Sequence, residues 1–153
     1  MDKRAEIKQV LSEELEDLKK RIINNHVAAG QVASGKTARS LRVEVTDDAA
    51  TLYGRRAFGT LETGRKPGRV PQGFYQIILQ WTKDKGIQVD NPKSFAYLVA
   101  RKIAREGTRL YRNGGRTDIY SNEVEKTIEN IMNRVFGVLD KEIEHIHLNS
   151  EIQ

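Results

Sequence analysis

Gly30-Gln31-Val32-Ala33-Ser34-Gly35-Lys36-Thr37 is the run with the most explicit chemical pattern. It matches G-x-x-x-x-G-K-[ST], in which backbone N–H groups wrap phosphates, the Lys neutralises them and the Thr hydroxyl binds Mg²⁺. That chemistry needs a buried parallel strand before the loop and a helix after it. The preceding RIINNHVAA instead finishes an amphipathic helix, and the following LRVEV alternates like an exposed hairpin strand. No later run of four apolar residues ends in an Asp that would hold the metal. A nucleotide site is therefore not expected.

The remaining candidates are sparse. His26 ends the first helix, which predicts a surface position or a complement to the helix dipole. His145 and His147 stand two apart on a helix and so face different ways, whereas ligand pairs on helices come at i, i+3 or i, i+4. The middle of the chain holds five acids, Glu62, Asp84, Asp90, Glu106 and Asp118, in no nuclease spacing. Glu62 stands out because Arg55, Arg56, Arg65 and Lys66 surround it in sequence; an ion pair that holds the loop is the expected role. A nucleophilic Ser would need a His at hand, and each His lies near a helix end. No catalytic constellation, cofactor site or metal site is expected.

Charge is the stronger signal. The chain has 153 residues, of which 26 are Lys or Arg and 21 are Asp or Glu. Residues 1–27 and 28–52 are each neutral, residues 53–120 carry net +9, and residues 121–153 carry net −4. A basic middle beside an acidic tail suits nucleic acid. It equally suits head-to-tail pairing of copies. The cations Arg55, Arg56, Arg65, Lys66, Arg69, Arg112 and Arg116, with Lys36 and Arg39, are the candidate interface or DNA-facing residues. Tyr53, Phe58 and Tyr111 lie among them, and Arg with Tyr serves both nucleic-acid stacking and protein interfaces. No helix-turn-helix, RNP or KH pattern accompanies them.

These residues must be positioned by a single domain, 1–153. Residues 3–26 predict a long helix on Ile7, Val10, Leu11, Leu15, Leu18, Ile22 and Ile23. Residues 28–40 are small and polar and read as a loop. Leu41, Val43 and Val45 alternate, Asp47-Asp48 turns, and Thr51-Leu52-Tyr53 returns: a β-hairpin. Residues 54–73 read as a long basic loop with one helical turn near Phe58–Leu61. Residues 74–85 predict a helix burying Phe74, Ile77, Ile78 and Trp81, ended by Gly86. Asn91 caps the next helix with Pro92 at its first position; its expected stripe is Phe95, Leu98, Val99 and Ile103, and Gly107 stops it. Residues 108–120 read as a hairpin with Asn113-Gly114-Gly115 at its tip. Ser121 is the expected N-cap of a last helix whose stripe is Val124, Ile128, Ile131, Val135, Leu139 and Ile146.

The resulting class is α+β. A long N-terminal helix (1–27) leads to a middle of hairpins, basic loops and two helices (28–120), then a long C-terminal helix (121–148). The hairpins form a small antiparallel sheet. The chain has no cysteine and 38% hydrophobic residues, which excludes a disulfide scaffold and a cysteine metal site. No apolar run approaches a membrane span, and no apolar signal segment follows Met1.

Ala33-Ser34-Gly35-Lys36-Thr37-Ala38-Arg39-Ser40-Leu41-Arg42-Val43 resembles a signature of phage tail-completion proteins, also called neck or head–tail joining proteins. There a long N-terminal helix leads to a small-residue TG-x-L-x-x-S turn and antiparallel strands. An aromatic and a Glu-x-Gly loop follow, similar to Tyr53 and then Leu61-Glu62-Thr63-Gly64-Arg65-Lys66-Pro67-Gly68 here. The chain departs from the family where Val32-Ala33-Ser34 replaces the usual Pro and Asp, and where residues 74–120 are inserted.

The resemblance implies a virion structural protein without enzyme activity, present in host cytoplasm during assembly. It implies a homo-oligomeric ring joining portal or connector to tail proteins, with possible contact to packaged DNA. The alternative is a small basic DNA- or RNA-binding accessory protein.

Overall fold

The computed structural model describes residues 2–150, apart from the side chains of 142 and 145–150. Helix α1 runs over Lys3–Ala28, and Asp2 accepts from Arg4 N at its start. A four-residue helix, α2 (Lys36–Arg39), lies inside the expected 28–40 loop. Strands β1 (Arg42–Val45) and β2 (Ala50–Tyr53) pair antiparallel, Val43 opposite Leu52. A 3₁₀ turn (Arg56–Gly59) runs into α3 (Thr60–Thr63). Then come α4 (Phe74–Asp84), α5 (Pro92–Glu106), α6 (Arg109–Arg112) and α7 (Ser121–Ser150). The class is α+β, as the pattern of elements predicts.

Two separate cores hold these elements. In the first, Leu18 and Ile22 of α1 pack with Leu41, and Leu52, Phe58, Tyr120 and Val124 close around them. A two-stranded sheet is marginal alone, so this packing on α1 is what keeps the hairpin. Polar bonds also join α1 to α7 in antiparallel sense. Arg21 pairs with Glu123 and donates to Thr127 Oγ1 at 2.6 Å. Arg134 reaches back to Glu13 at 2.6 Å and to Glu14 at 2.9 Å.

In the second core, Ile78 of α4 meets Ala96 and Ala100 of α5, with Phe74, Leu79, Val99 and Ile103 around them. The two alanines let the helices approach closely. Asn91 caps α5 as expected, its Oδ1 accepting from Ser94 N at 3.0 Å.

Several expectations are corrected. Residues 108–120 form no hairpin, and the sheet has only β1 and β2 among the described residues. Thr108 Oγ1 accepts from Tyr111 N and starts α6. Gly115 N then closes back on Leu110 O at 2.9 Å. The expected positive φ is present, at 87° for Gly114 and 78° for Gly115, but in a helix-ending turn. Leu110-Tyr111 and Ile119-Tyr120 are adjacent apolar pairs, with no alternation to sustain a strand.

The helical stripes also rotate. Leu98 is 63% exposed and Ile77 53% exposed, and Trp81 is also exposed, because Ala96, Ala100 and Thr82 occupy the contact instead. In α7, Thr127 and Val138 are buried, while Ile128 and Leu139 face out. Ile146 lies outside the described side chains. His26 is buried, not on the surface, and its Nδ1 shares a hydrogen bond with Gln31 Oε1 at 3.2 Å. Gln31 in turn donates to Leu61 O, tying the end of α1 to α3.

Gly137 lies mid-α7, away from any neighbour within 4 Å of an added Cβ. Glycine costs about 1 kcal/mol against alanine inside a helix. Gly137→Ala is expected to raise the melting temperature by about 2–4 °C, read by thermal circular dichroism.

Candidate functional site

The densest arrangement of main-chain and polar bonds between distant segments lies where residues 59–66 meet residues 107–121. Glu62 is buried at its centre. Its Oε1 accepts from the backbone N–H groups of Ile119 (3.0 Å), Tyr120 (2.6 Å) and Ser121 (2.8 Å), and its Oε2 accepts from the Ser121 hydroxyl. The expected ion pair with neighbouring arginines is therefore replaced. Glu62 caps α7 from a different segment, and Ser121 is the first helical residue rather than the N-cap. The first N–H groups of a helix lack internal partners and carry its positive dipole end, so a carboxylate there is doubly favoured.

Burial alone pushes the Glu62 carboxyl up. The Ser121 hydroxyl and the backbone N–H groups of Ser121, Tyr120 and Ile119 outweigh it and hold the group below its ordinary value. A lowered folded-state pKa contributes stability that is full above the unfolded value and is lost as pH falls through the folded one. The stability difference between wild type and Glu62→Gln is thus expected to shrink on acidification below the ordinary glutamate range. Urea titrations across pH measure it; a difference independent of pH would mean the charge contributes nothing.

Main chain completes the clasp. Arg65 N donates to Thr108 Oγ1 and Thr108 N donates to Arg65 O, both at 2.9 Å. Arg116 N donates to Glu62 O at 2.8 Å, and the Tyr120 hydroxyl to Gly59 O at 3.0 Å. Phe58 and Tyr120 rings lie 5.3 Å apart beside it. Gly64, Gly107 and Gly115 permit the approach: an added Cβ would lie 2.5 Å from Tyr111 N, 2.7 Å from Arg65 O and 2.7 Å from Glu62 O respectively. Sequence reading found Glu62 but missed Thr108 and the close approaches at Gly64, Gly107 and Gly115. The available signal was the near repeat of Glu62-Thr63-Gly64-Arg65 in Glu106-Gly107-Thr108-Arg109.

The nine candidate cations divide by what their side chains hold. Arg39 donates to Ser34 O and lies against Gly35. Arg65 donates to Arg69 O and stacks 5.3 Å from the Phe74 ring centre. Arg112 pairs with Glu106, and Arg116 chelates Asp118 through two nitrogens. These four brace the fold. Lys36, Arg55, Arg56, Lys66 and Arg69 have no ion pair among the described residues.

The Gly30–Thr37 run follows α1, not a strand, and ends in the single helical turn α2, which the sequence reading did not expect; antiparallel β1 comes next. The Arg39 guanidinium fills the space over Gly35. His145 and His147 side chains lie outside the described residues.

One face of α7 is left uncovered. Ile128, Met132, Phe136, Leu139 and Ile143 are all 39–56% exposed. At 3.6 residues per turn they fall within an arc of about 80°. Their row begins at an apolar groove of about 540 Å³ between β2 and α7, lined by Leu52, Phe58, Val124, Ile128 and Ile131. Among the described residues no helix is long and apolar enough to cross a membrane. The chain matches no protein-family model, no curated protein and no solved structure.

Proposed function

We propose that the protein is a structural component of the head–tail connector, or neck, of a tailed phage. It acts in several copies, as a ring between portal or connector and tail, and does no chemistry. The observation that carries this reading is the exposed apolar row on α7. Single exposed apolar residues are ordinary, but five on one helix face mark a surface that another protein covers. The resemblance of residues 33–69 to tail-completion proteins supplies the setting, and the segmental charge supports contacts between unlike faces. The one buried carboxylate of the clasp is fully occupied by backbone and hydroxyl donors, which supports a bracing role for it.

In this reading the protein resides in the virion and, before assembly, in host cytoplasm. Its neighbours are portal or connector and tail proteins. Inactivating its gene in the phage that encodes it is expected to leave DNA-filled heads and unattached tails in lysates viewed by electron microscopy. Normal tailed particles would refute the role.

A second reading, a DNA- or RNA-binding accessory protein, draws on the unpaired Lys36, Arg55, Arg56, Lys66 and Arg69. It predicts a gel shift at low salt that dissolves as salt rises. No shift at low salt would remove it.

A further inference from the structure

We infer that α5 of one copy docks along the uncovered face of α7 of the next copy, so that assembly proceeds head to tail through one repeated contact. The inference rests on the multi-copy role proposed above and names the two surfaces that meet.

The α7 surface has two adjacent parts. The apolar row runs from Ile128 to Ile143, about 22 Å along the helix. Glu129, Asp140 and Glu144 follow along one side of it and Glu125 lies at its N-terminal end, all exposed and without ion pairs among the described residues. The surface is thus a greasy strip with an acidic edge.

The outward face of α5 carries the complementary set. Opposite the buried Ala96 and Ala100, it presents Tyr97 (54% exposed) and Leu98 (63% exposed). Arg101, Lys102 and Arg105 share that face. Arg101 and Lys102 have no ion pair among the described residues, and Arg105 pairs only with the adjacent, half-buried Glu106. Helix α5 has 15 residues, again about 22 Å. Length, apolar content and charge therefore match.

A symmetric pairing of α7 with α7 is disfavoured by the same charges, since two acidic edges would be brought together. Docking α5 onto α7 sets base against acid and leaves each copy with one used α5 and one free α7. Such a heterologous contact propagates, and it closes into a ring when the rotation per copy allows.

Two variants test this. The first, Arg101→Glu with Lys102→Glu, makes both surfaces acidic. The second, Glu129→Arg with Asp140→Arg, makes both basic. All four positions are exposed, and circular dichroism checks that each variant folds. Light scattering of the full chain over a concentration series is the readout. Wild type is expected to associate. Each variant alone is expected to need at least about 100-fold higher concentration, because like charges oppose contact. An equimolar mixture is expected to recover assembly, because each surface then finds its opposite.

Association of the first variant at wild-type concentrations overturns the inference and points to α7 pairing with α7. Failure of the mixture overturns it as well. So does a wild type that stays monomeric throughout. In each of these cases the connector role is decided separately by the particles formed without the gene.

Discussion

Glu62→Ala is expected to cost about 3 kcal/mol and to lower the melting temperature by about 6–12 °C. The carboxylate receives three backbone N–H bonds and one hydroxyl bond at the start of α7. Loss of a helix cap alone costs about 0.5–2 kcal/mol. Here Ile119 is fully buried, so its N–H cannot turn to water once the acceptor is gone. A buried unsatisfied donor adds about 1–3 kcal/mol. Glu62→Gln retains an acceptor oxygen and the shape but not the charge, and it should fall between the two. Thermal denaturation of the three proteins at neutral pH measures the series. An alanine variant within 1 °C of wild type would show that α7 does not depend on this cap.

The second large effect is expected at the glycines of the clasp. Gly64 has φ 67° and ψ −173°, and Gly107 has φ 77° and ψ 177°. These backbone conformations are open essentially to glycine alone. The added Cβ of Gly64→Ala would also lie 2.5 Å from Tyr111 N, a backbone atom that cannot swing away. Strain and collision act together, so Gly64→Ala and Gly107→Ala are each expected to cost about 3 kcal/mol or more. Gly30→Ala is the control: its φ is 68°, but nothing lies within 4 Å of an added Cβ. It should cost only about 1 kcal/mol. Urea unfolding midpoints separate the two cases. Equal losses at Gly30 and Gly64 would mean that the clasp's close approach contributes nothing.

The long helices and the β1–β2 hairpin were legible because their patterns are local. Val10, Leu15, Leu18 and Ile22 recur at helical spacing, and Leu41, Val43 and Val45 alternate. Capping of α5 by Asn91 and Pro92 was legible for the same reason. What stayed hidden depends on distant partners. Ser121 has the right residue type for a cap, but Glu62, 59 positions away, supplies the acceptor. Residues 108–120 have turn glycines that suit either a hairpin or the end of a helix, and Thr108 with Glu62 decides for the helix. The spacing of Leu98 and Ile77 predicts a core position, because apolar periodicity marks a face that is covered without saying which partner covers it. In the single chain the alanines take the inside and the larger side chains are left outside.

The separate core around Ala96 and Ala100 has a consequence for amide exchange. The α4–α5 pair is tied to the rest at its two ends, by Arg65 with Thr108 and by Lys85 with the Gly30 carbonyl. Between those ties it shares no core with α1 and α7. A unit with its own small interior has its own opening equilibrium. Its amides are therefore expected to trade hydrogen for deuterium together, ahead of those in the α1–α7 pair, and closing of that gap on assembly would report α5 becoming covered.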